Sequence, residues 1–329
     1  MIEEELSRCV ASFYPGATGV ADAAKLSGGA SQETWSFDIV HVAGRFGAIL
    51  RRSPKGYGAA PTRAAGLAAE ARLMQLAFDA GLPSPKVMHV LTPEDDLGTG
   101  FIMARVEGET IARKILRDEQ FAHARPILAR QLGKVAAGIH GLPRDQLPKL
   151  REMSSTREIA EMEREYRGFD WPRPVFELAL RWLAAHDPGP SAEVTLVHGD
   201  FRHGNLIIGP DGVRAVLDWE LAHLGDPMED LGWICVNSWR FGEIDKPVGG
   251  FGSREDLFAG YEAEARRVDP ARVHFWEVMG TLRWGVMCCG MMQRFRSGPD
   301  HSMERAMIGR RSSETEIDLL RLLAPRHKQ

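Results

Sequence analysis

Three polar residues, Asp200, Asn205 and Asp218, stand where their types and spacing could do chemistry. Asp200 follows the apolar run Leu196-Val197 on the loop His198-Gly199-Asp200-Phe201-Arg202-His203-Gly204, and Asn205 ends that loop. Leu206-Ile207-Ile208 and Val213-Arg214-Ala215-Val216-Leu217 flank a Gly209-Pro210-Asp211-Gly212 turn, a pattern that predicts a β-hairpin. The ends of an antiparallel hairpin meet, so Asn205 at the start of one strand and Asp218 at the end of the other are delivered to one point. An amide oxygen beside a carboxylate is a hard-oxygen set that suits Mg²⁺, an ion that keeps waters and bridges substrate phosphates. Asp200, just upstream, is placed to accept a hydroxyl proton. An Asp, an Asn after four intervening residues and then a metal-binding Asp is the order used for phosphoryl transfer, in which the protein mainly positions groups and neutralises charge.

The elements that must hold these residues fall into two groups. A short helix is expected over 1–15, ending at Tyr14-Pro15-Gly16. Strand character runs from Ala24 to Arg52, in Glu33–Val40 and Phe46–Leu50, which are rich in β-branched and aromatic residues. An Ala-rich helix over 62–80 is closed by Gly81 and Pro83, and two strands follow at Val87–Val90 and Phe101–Val106. After Gly108 the chain reads as helical. Leu128, Leu132, Val135 and Ile139 share one helix face behind Pro126. Further helices are expected over 156–186, short strands between Val194 and Leu217, and helix again beyond Pro227. The expected fold is α+β and bilobal: a small mixed-sheet lobe at 1–106 and a larger, mainly helical lobe at 107–329.

Composition excludes several classes. The 329 residues suggest roughly two units at about 150 residues each. With 41 Lys plus Arg against 45 Asp plus Glu, the net charge of −4 argues against a basic nucleic-acid binder. No run approaches the ~18 apolar residues of a membrane span, and the acidic start Met1-Ile2-Glu3-Glu4-Glu5 is unlike a signal peptide. Cys9, Cys235, Cys288 and Cys289 are too few and too irregular for a disulfide framework or zinc site, so reduced, buried thiols in a cytoplasmic protein are expected.

The stretches His198-Gly199-Asp200 to Asn205, Leu217-Asp218-Trp219-Glu220 and Gly225-Asp226-Pro227 to Asp230-Leu231 resemble the aminoglycoside phosphotransferase and choline kinase superfamily, the small-molecule branch of the protein-kinase-like fold. The likeness covers nearly the whole chain. Leu26-Ser27-Gly28-Gly29-Ala30-Ser31 and Pro247-Val248-Gly249-Gly250-Phe251-Gly252-Ser253 are similar to kinase-like domains fused to acyl-CoA dehydrogenases. The resemblance implies ATP and Mg²⁺ as cofactors, Asp200 as catalytic base, and Asn205 and Asp218 as metal ligands. It makes Ser27, Gly28, Gly29, Ala30 and Ser31 the turn over the ATP phosphates, where small residues admit backbone N–H groups. It makes Met103 through Arg105 to Val106 the hinge that meets adenine. The lysine expected on the third strand is replaced by Arg51, which can pair with phosphate in bidentate fashion; its implied helix partner is Glu70. Independently, Glu70 lies three residues from both Leu67 and Leu73 on an apolar face, and a carboxylate there wants a cationic partner. The absence of G-x-G-x-x-G, of Asp-Phe-Gly and of Ala-Pro-Glu argues against a protein kinase.

The remaining polar residues allow plainer readings. His198 is expected to bond nearby backbone. His203, between base and metal ligand, either touches substrate or phosphate or is exposed. Asp226 and Asp230 either lie beside the metal or, as the plainer reading expects, cap the helix after Gly225, and His140 is expected to be a core or helix-end residue. Met279, Met287 and Met291 fall near one helix face, as core or as an adaptable apolar wall for a substrate chain. Residues 231–329 hold 15 Lys plus Arg and 13 Asp plus Glu, a balance of 15 − 13 = +2. A polycationic aminoglycoside would favour an acidic surface. The expected acceptor is therefore a small molecule whose hydroxyl sits beside an apolar part, such as a hydroxyacyl-CoA or hydroxy acid. An antibiotic phosphotransferase and a catalytically silent nucleotide-binding module are the alternatives.

Overall fold

The computed structural model describes residues 2–26, 32–54, 63–169, 171–265, 267–298 and 302–324. The chain opens with helix α1 (Ile2–Phe13) and strands β1 (Ala17–Lys25), β2 (Glu33–His41) and β3 (Gly44–Ser53). Helix α2 (Leu67–Asp79), β4 (Val87–Val90) and β5 (Thr99–Ala104) follow. The strands form one antiparallel sheet in the order β1-β2-β3-β5-β4. The two-residue period of β3 divides its faces. Ala48 and Leu50 pack with Leu6 and Val10 of α1 and Phe37 and Ile39 of β2. Ile49 therefore turns to the opposite face, where it joins Phe101, Met103 and the α2 residues Leu73 and Met74. Arg51, two residues on, shares that face.

The rest is helical around a short β insertion. Helices α3 (Ala112–Arg117), α4 (Arg125–His140), α5 (Ser155–Arg167) and α6 (Pro174–Ala185) precede β6 (Thr195–Val197), β7 (Leu206–Gly209), β8 (Gly212–Val216) and β9 (His223–Gly225). Then come α7 (Met228–Trp233), α8 (Arg254–Glu262), α9 (Pro270–Arg296), α10 (Met303–Gly309) and α11 (Ser312–Leu323). Leu128, Leu132, Val135 and Ile139 of α4 are buried in the main core as their spacing requires. Hairpin β7–β8 pairs Leu206 with Val216 and Gly209 with Gly212. The segment after β5 is tied to it by paired bonds between Glu109 and Ile208, both 2.9 Å. Gly108 permits this approach, since a Cβ there would lie 2.5 Å from the Ile207 side chain. Among the described residues no helix is long and apolar enough to cross a membrane.

Several boundaries differ from expectation. Strand β1 begins at Ala17 rather than Ala24, because two register shifts and the left-handed Asp22 hide its alternation. Strand β5 ends at Ala104 rather than Val106, and α2 begins at Leu67. The chain between α7 and α8 is mostly loop, with Gly242, Gly249 and Gly250 in positive-φ turns. All four cysteines are buried free thiols. Cys9, His89 and Asp95 converge between α1 and β4, but the His89 ring nitrogen Nε2 (2.9 Å) and the Thr92 N–H (2.7 Å) already bond Asp95. Hydrogen bonding accounts for that cluster.

Candidate active site

Asp200 sits in the loop between β6 and β7, and the backbone of that loop is suspended from below. Both carboxylate oxygens of Asp230 on α7 accept its amides, from His198 N–H at 2.8 Å and Gly199 N–H at 2.9 Å. His140, the last residue of α4, bonds the same carboxylate at 3.0 Å. Asp230 is therefore not the helix cap expected from sequence but a buried anchor of the loop. Asp226 precedes Pro227, the N-cap of α7; it accepts from Met228 N–H at 3.0 Å and also holds Arg272 and the Trp276 indole. Gly199 is obligatory: its φ is +80°, and a Cβ would lie 2.5 Å from the Leu221 carbonyl. His198 takes the backbone role expected of it. Its Nε2 donates to Leu217 O at 3.1 Å while Nδ1 accepts from Asp200 N–H at 3.3 Å, and burial holds it below its usual pKa, so it is a neutral strut.

The Asp200 carboxylate is buried and fully bonded. Oδ1 accepts from Arg202 Nε and Trp233 Nε1, both at 2.8 Å; Oδ2 accepts from Arg202 Nη2 at 3.1 Å and Asn205 Nδ2 at 2.6 Å. Asn205 thereby keeps its amide oxygen free to face a cation. Leu217 N–H donates to Asn205 O at 2.8 Å, which sets Asp218 beside Asn205 as the hairpin argument requires. Asp218 is left-handed, φ +63°, a conformation that turns the chain sharply out of β8.

Arg51 joins Glu70 as expected, at 3.3 Å, but it also reaches Asp218 at 2.7 Å and Glu220 at 3.4 Å. One guanidinium thus serves three carboxylates. Burial pushes the Glu70 carboxyl up to about 8, with Asp218 and Glu220 adding and Arg51 opposing. Burial and Asp218 likewise raise Glu220. Glu70 Oε2 is buried without a hydrogen-bond partner. Among the described residues one cation, Arg51, faces three carboxylates beside Asn205 and Asp218, and this donor set fits a divalent oxygen-seeking cation.

A cavity of about 380 Å³ opens above these groups, between the sheet and the hairpin. Ile49, Met74, Met103, Val106, Ile207 and Leu217 make it apolar at one end, and Arg51, Glu70 and Asp218 make it polar at the other. Arg105 lines it too, its guanidinium held by Asp38 at 2.9 Å. Leu26 and Thr34 border it; Ser27, Gly28, Gly29, Ala30 and Ser31, which connect them, lie outside the described residues. His203 is not exposed. It is buried, donates from Nε2 to Gly249 O at 2.6 Å, and packs edge-on against Phe251 at 5.0 Å. Burial lowers its pKa to about 4. It fastens the 247–253 loop to the loop that carries Asp200.

Sequence reasoning missed Arg202 and Trp233 as partners of Asp200. The spacing of Arg202, two residues after the Asp, was available as a signal. Trp233 lies 33 residues away, and only packing brings it back. Met279 is core, while Met287 and Met291 are half-buried against Trp233, Trp239 and Trp284.

The chain has counterparts among known proteins. Residues 22–270 match the family model described as the phosphotransferase enzyme family. The chain belongs to that family. It is 30% identical over 199 residues to acyl-CoA dehydrogenase family member 10 of Mus musculus, a match covering 57% of this chain and 18% of that one. Against member 11 of Gallus gallus it is 27% identical over 243 residues, 70% of this chain and 30% of the relative. The chain thus spans less than a third of the length of these relatives. Among solved structures, a candidate aminoglycoside phosphotransferase of Ralstonia eutropha superposes with a TM-score of 0.73 at 21% identity, over 97% of both chains. A thermostable variant of aminoglycoside phosphotransferase APH(4)-Ia, in ternary complex with AMP-PNP and hygromycin B, gives 0.63 at 17% identity over 98% and 99%. These likenesses carry the fold.

Proposed function

We propose that the protein is an ATP- and Mg²⁺-dependent kinase that moves the γ-phosphate to a hydroxyl of a small molecule bearing an apolar part, such as a hydroxyacyl-CoA or hydroxy acid. The observation that carries the first half is the charge deficit in the cleft: three carboxylates share Arg51 beside Asn205 and Asp218. The apolar end of the cavity suits an adenine ring near Met103 and Val106, and the polar end suits its phosphates. Asn205 and Asp218 would hold the metal, which would supply positive charge against the phosphates. Arg51 pairs with a phosphate once Asp218 is given over to that role. Asp200 takes the acceptor's hydroxyl proton as the oxygen forms its bond to the γ-phosphorus. The bond from that phosphorus to the β–γ bridging oxygen breaks, and its electron pair leaves on ADP.

The acceptor reading rests on what lies beyond the base. Trp233, Trp239 and Trp284 form a row with ring centroids 5.3 and 4.9 Å apart, and the half-buried Met287 and Met291 continue it. The indole N–H groups of Trp239 and Trp284 are buried without a partner. The three rings are themselves buried, so it is the half-buried Met287 and Met291 at their edge that would give apolar contact to an aliphatic or acyl chain. ATP consumption should be screened against hydroxyacyl-CoAs, hydroxy acids, aminoglycosides, choline and sugars. Turnover of a hydroxyacyl compound is expected; turnover of an aminoglycoside alone, at micromolar KM, would overturn the acceptor reading. Asp200→Ala is expected to abolish transfer while Mg·ATP binding stays within a factor of about three, as for loss of a group acting in the transition state. A wild type that binds ATP and transfers to no hydroxyl compound would instead mark a nucleotide-binding module.

A further inference from the structure

We propose that Trp233, braced by the buried guanidinium of Arg283, is a positioning residue that holds the Asp200 carboxylate in its working orientation while Arg202 is displaced. The inference rests on the reading of Asp200 as the base. A carboxylate offers about four lone-pair positions, and on Asp200 all are engaged, by Arg202 twice and by Trp233 and Asn205 once each. An oxygen with no free lone pair cannot receive a hydroxyl proton, so a donor has to leave.

The donors differ in freedom. The Arg202 side chain is 25% exposed; it also donates to His203 O at 2.7 Å and lies 4.6 Å over the Trp239 ring, and an arriving phosphate offers its guanidinium a bidentate partner in exchange. Trp233 is 2% exposed and rigid, its indole 5.3 Å from Trp239. Its N–H is its only polar group and can only donate. Arg283 of α9 lies 4.0 Å over the Trp233 ring, donates to Gly199 O at 3.1 Å and pairs with Glu229 at 2.8 Å. One buried cation therefore steadies both the backbone before the base and the side chain that touches it. A cation over the ring face also polarises the indole N–H. Once Arg202 withdraws, Oδ1 keeps Trp233 and Oδ2 keeps Asn205. The carboxylate plane stays fixed, and a lone pair opens for the acceptor.

The test reads indole and arginine Nε resonances of ¹⁵N-labelled protein. The indole signal missing from Trp233→Phe identifies Trp233, and the Nε signal missing from Arg202→Ala identifies Arg202. The Trp233 signal is expected to shift in Asp200→Asn and in Arg283→Met. It should stay in place in Arg202→Ala, and in wild type saturated with Mg²⁺ and AMP-PNP, where the Arg202 signal moves. A Trp233 signal indifferent to Asp200→Asn, or one that moves to the free-indole position when Arg202 is removed or nucleotide added, overturns the proposal. The expected kinetic counterpart is that Trp233→Phe slows ADP formation about tenfold, the worth of one such hydrogen bond, with the KM for ATP unchanged. Water and 3-hydroxybutyryl-CoA serve as acceptor probes, and a variant rate within about twofold of wild type counts against the proposal. If Trp233→Phe does not fold, the one indole signal that responds to Asp200→Asn serves as the readout. An Asp200→Asn enzyme that still transfers phosphate would sink the base reading and leave the resonance result standing.

Discussion

At the residue scale the decisive arrangement is an imbalance. Among the described residues Arg51 pairs with Glu70, Asp218 and Glu220, and a lysine ammonium would meet the same three groups as a point charge. The guanidinium presents a fork instead, so it can release Asp218 and still hold Glu70. Arg51→Lys is expected to keep activity but raise the KM for ATP about tenfold, through loss of bidentate phosphate contact. Arg51→Ala should abolish turnover in steady-state assays. Its cost in urea unfolding should be about 2 kcal/mol, below the usual 3–5 for a broken buried pair, because Glu70 can take up a proton.

At the scale of elements, the loop carrying Asp200 is held less by its own strands than by helices. β6 and β9 form only a three-residue ladder, while α7 supplies Asp230, α4 supplies His140 and α9 supplies Arg283. Asp230→Asn would replace one acceptor with an amide N–H facing a backbone N–H. The expected result is a loss of about 3 kcal/mol by denaturant titration. The kcat should fall while the KM for ATP barely changes, since the cavity lining lies elsewhere. A fall in both together would mean that the anchor also shapes the nucleotide end.

At the scale of the whole molecule, the sheet face carrying Ile49 and Arg51 and the hairpin carrying Asn205 and Asp218 become one site only where the two regions meet. A ligand bound there stabilises both. Mg²⁺ with AMP-PNP at about a hundredfold excess over its Kd should raise the unfolding free energy by about 2.7 kcal/mol. AMP-PNP with EDTA should give clearly less, because the phosphates would then add negative charge to a cleft already short of cations. Equal thermal shifts with and without the metal would count against Asn205 and Asp218 as its holders.

Much of this was legible in the chain itself, because the signals were local. The hairpin over 206–216 follows from a Pro-Asp-Gly turn between apolar runs, and its closure sets Asn205 beside Asp218. The Arg51–Glu70 pair was implied by the family resemblance, and from the residues alone by the helix face that turns Glu70 toward the interior. What stayed hidden depends on partners far apart in sequence. Arg51 meets Asp218 across 167 positions, Arg283 meets Gly199 across 84 and His203 meets Gly249 across 46. Asp230 has the composition and place of a cap, and only the approach of the 198–200 backbone makes it an anchor. Periodicity and turn chemistry act over one or two turns of chain, so the sequence by itself determined the α+β elements, the hairpin and the type of chemistry. Which buried polar group satisfies which is settled by close packing of the whole core, and that the tertiary structure alone decided.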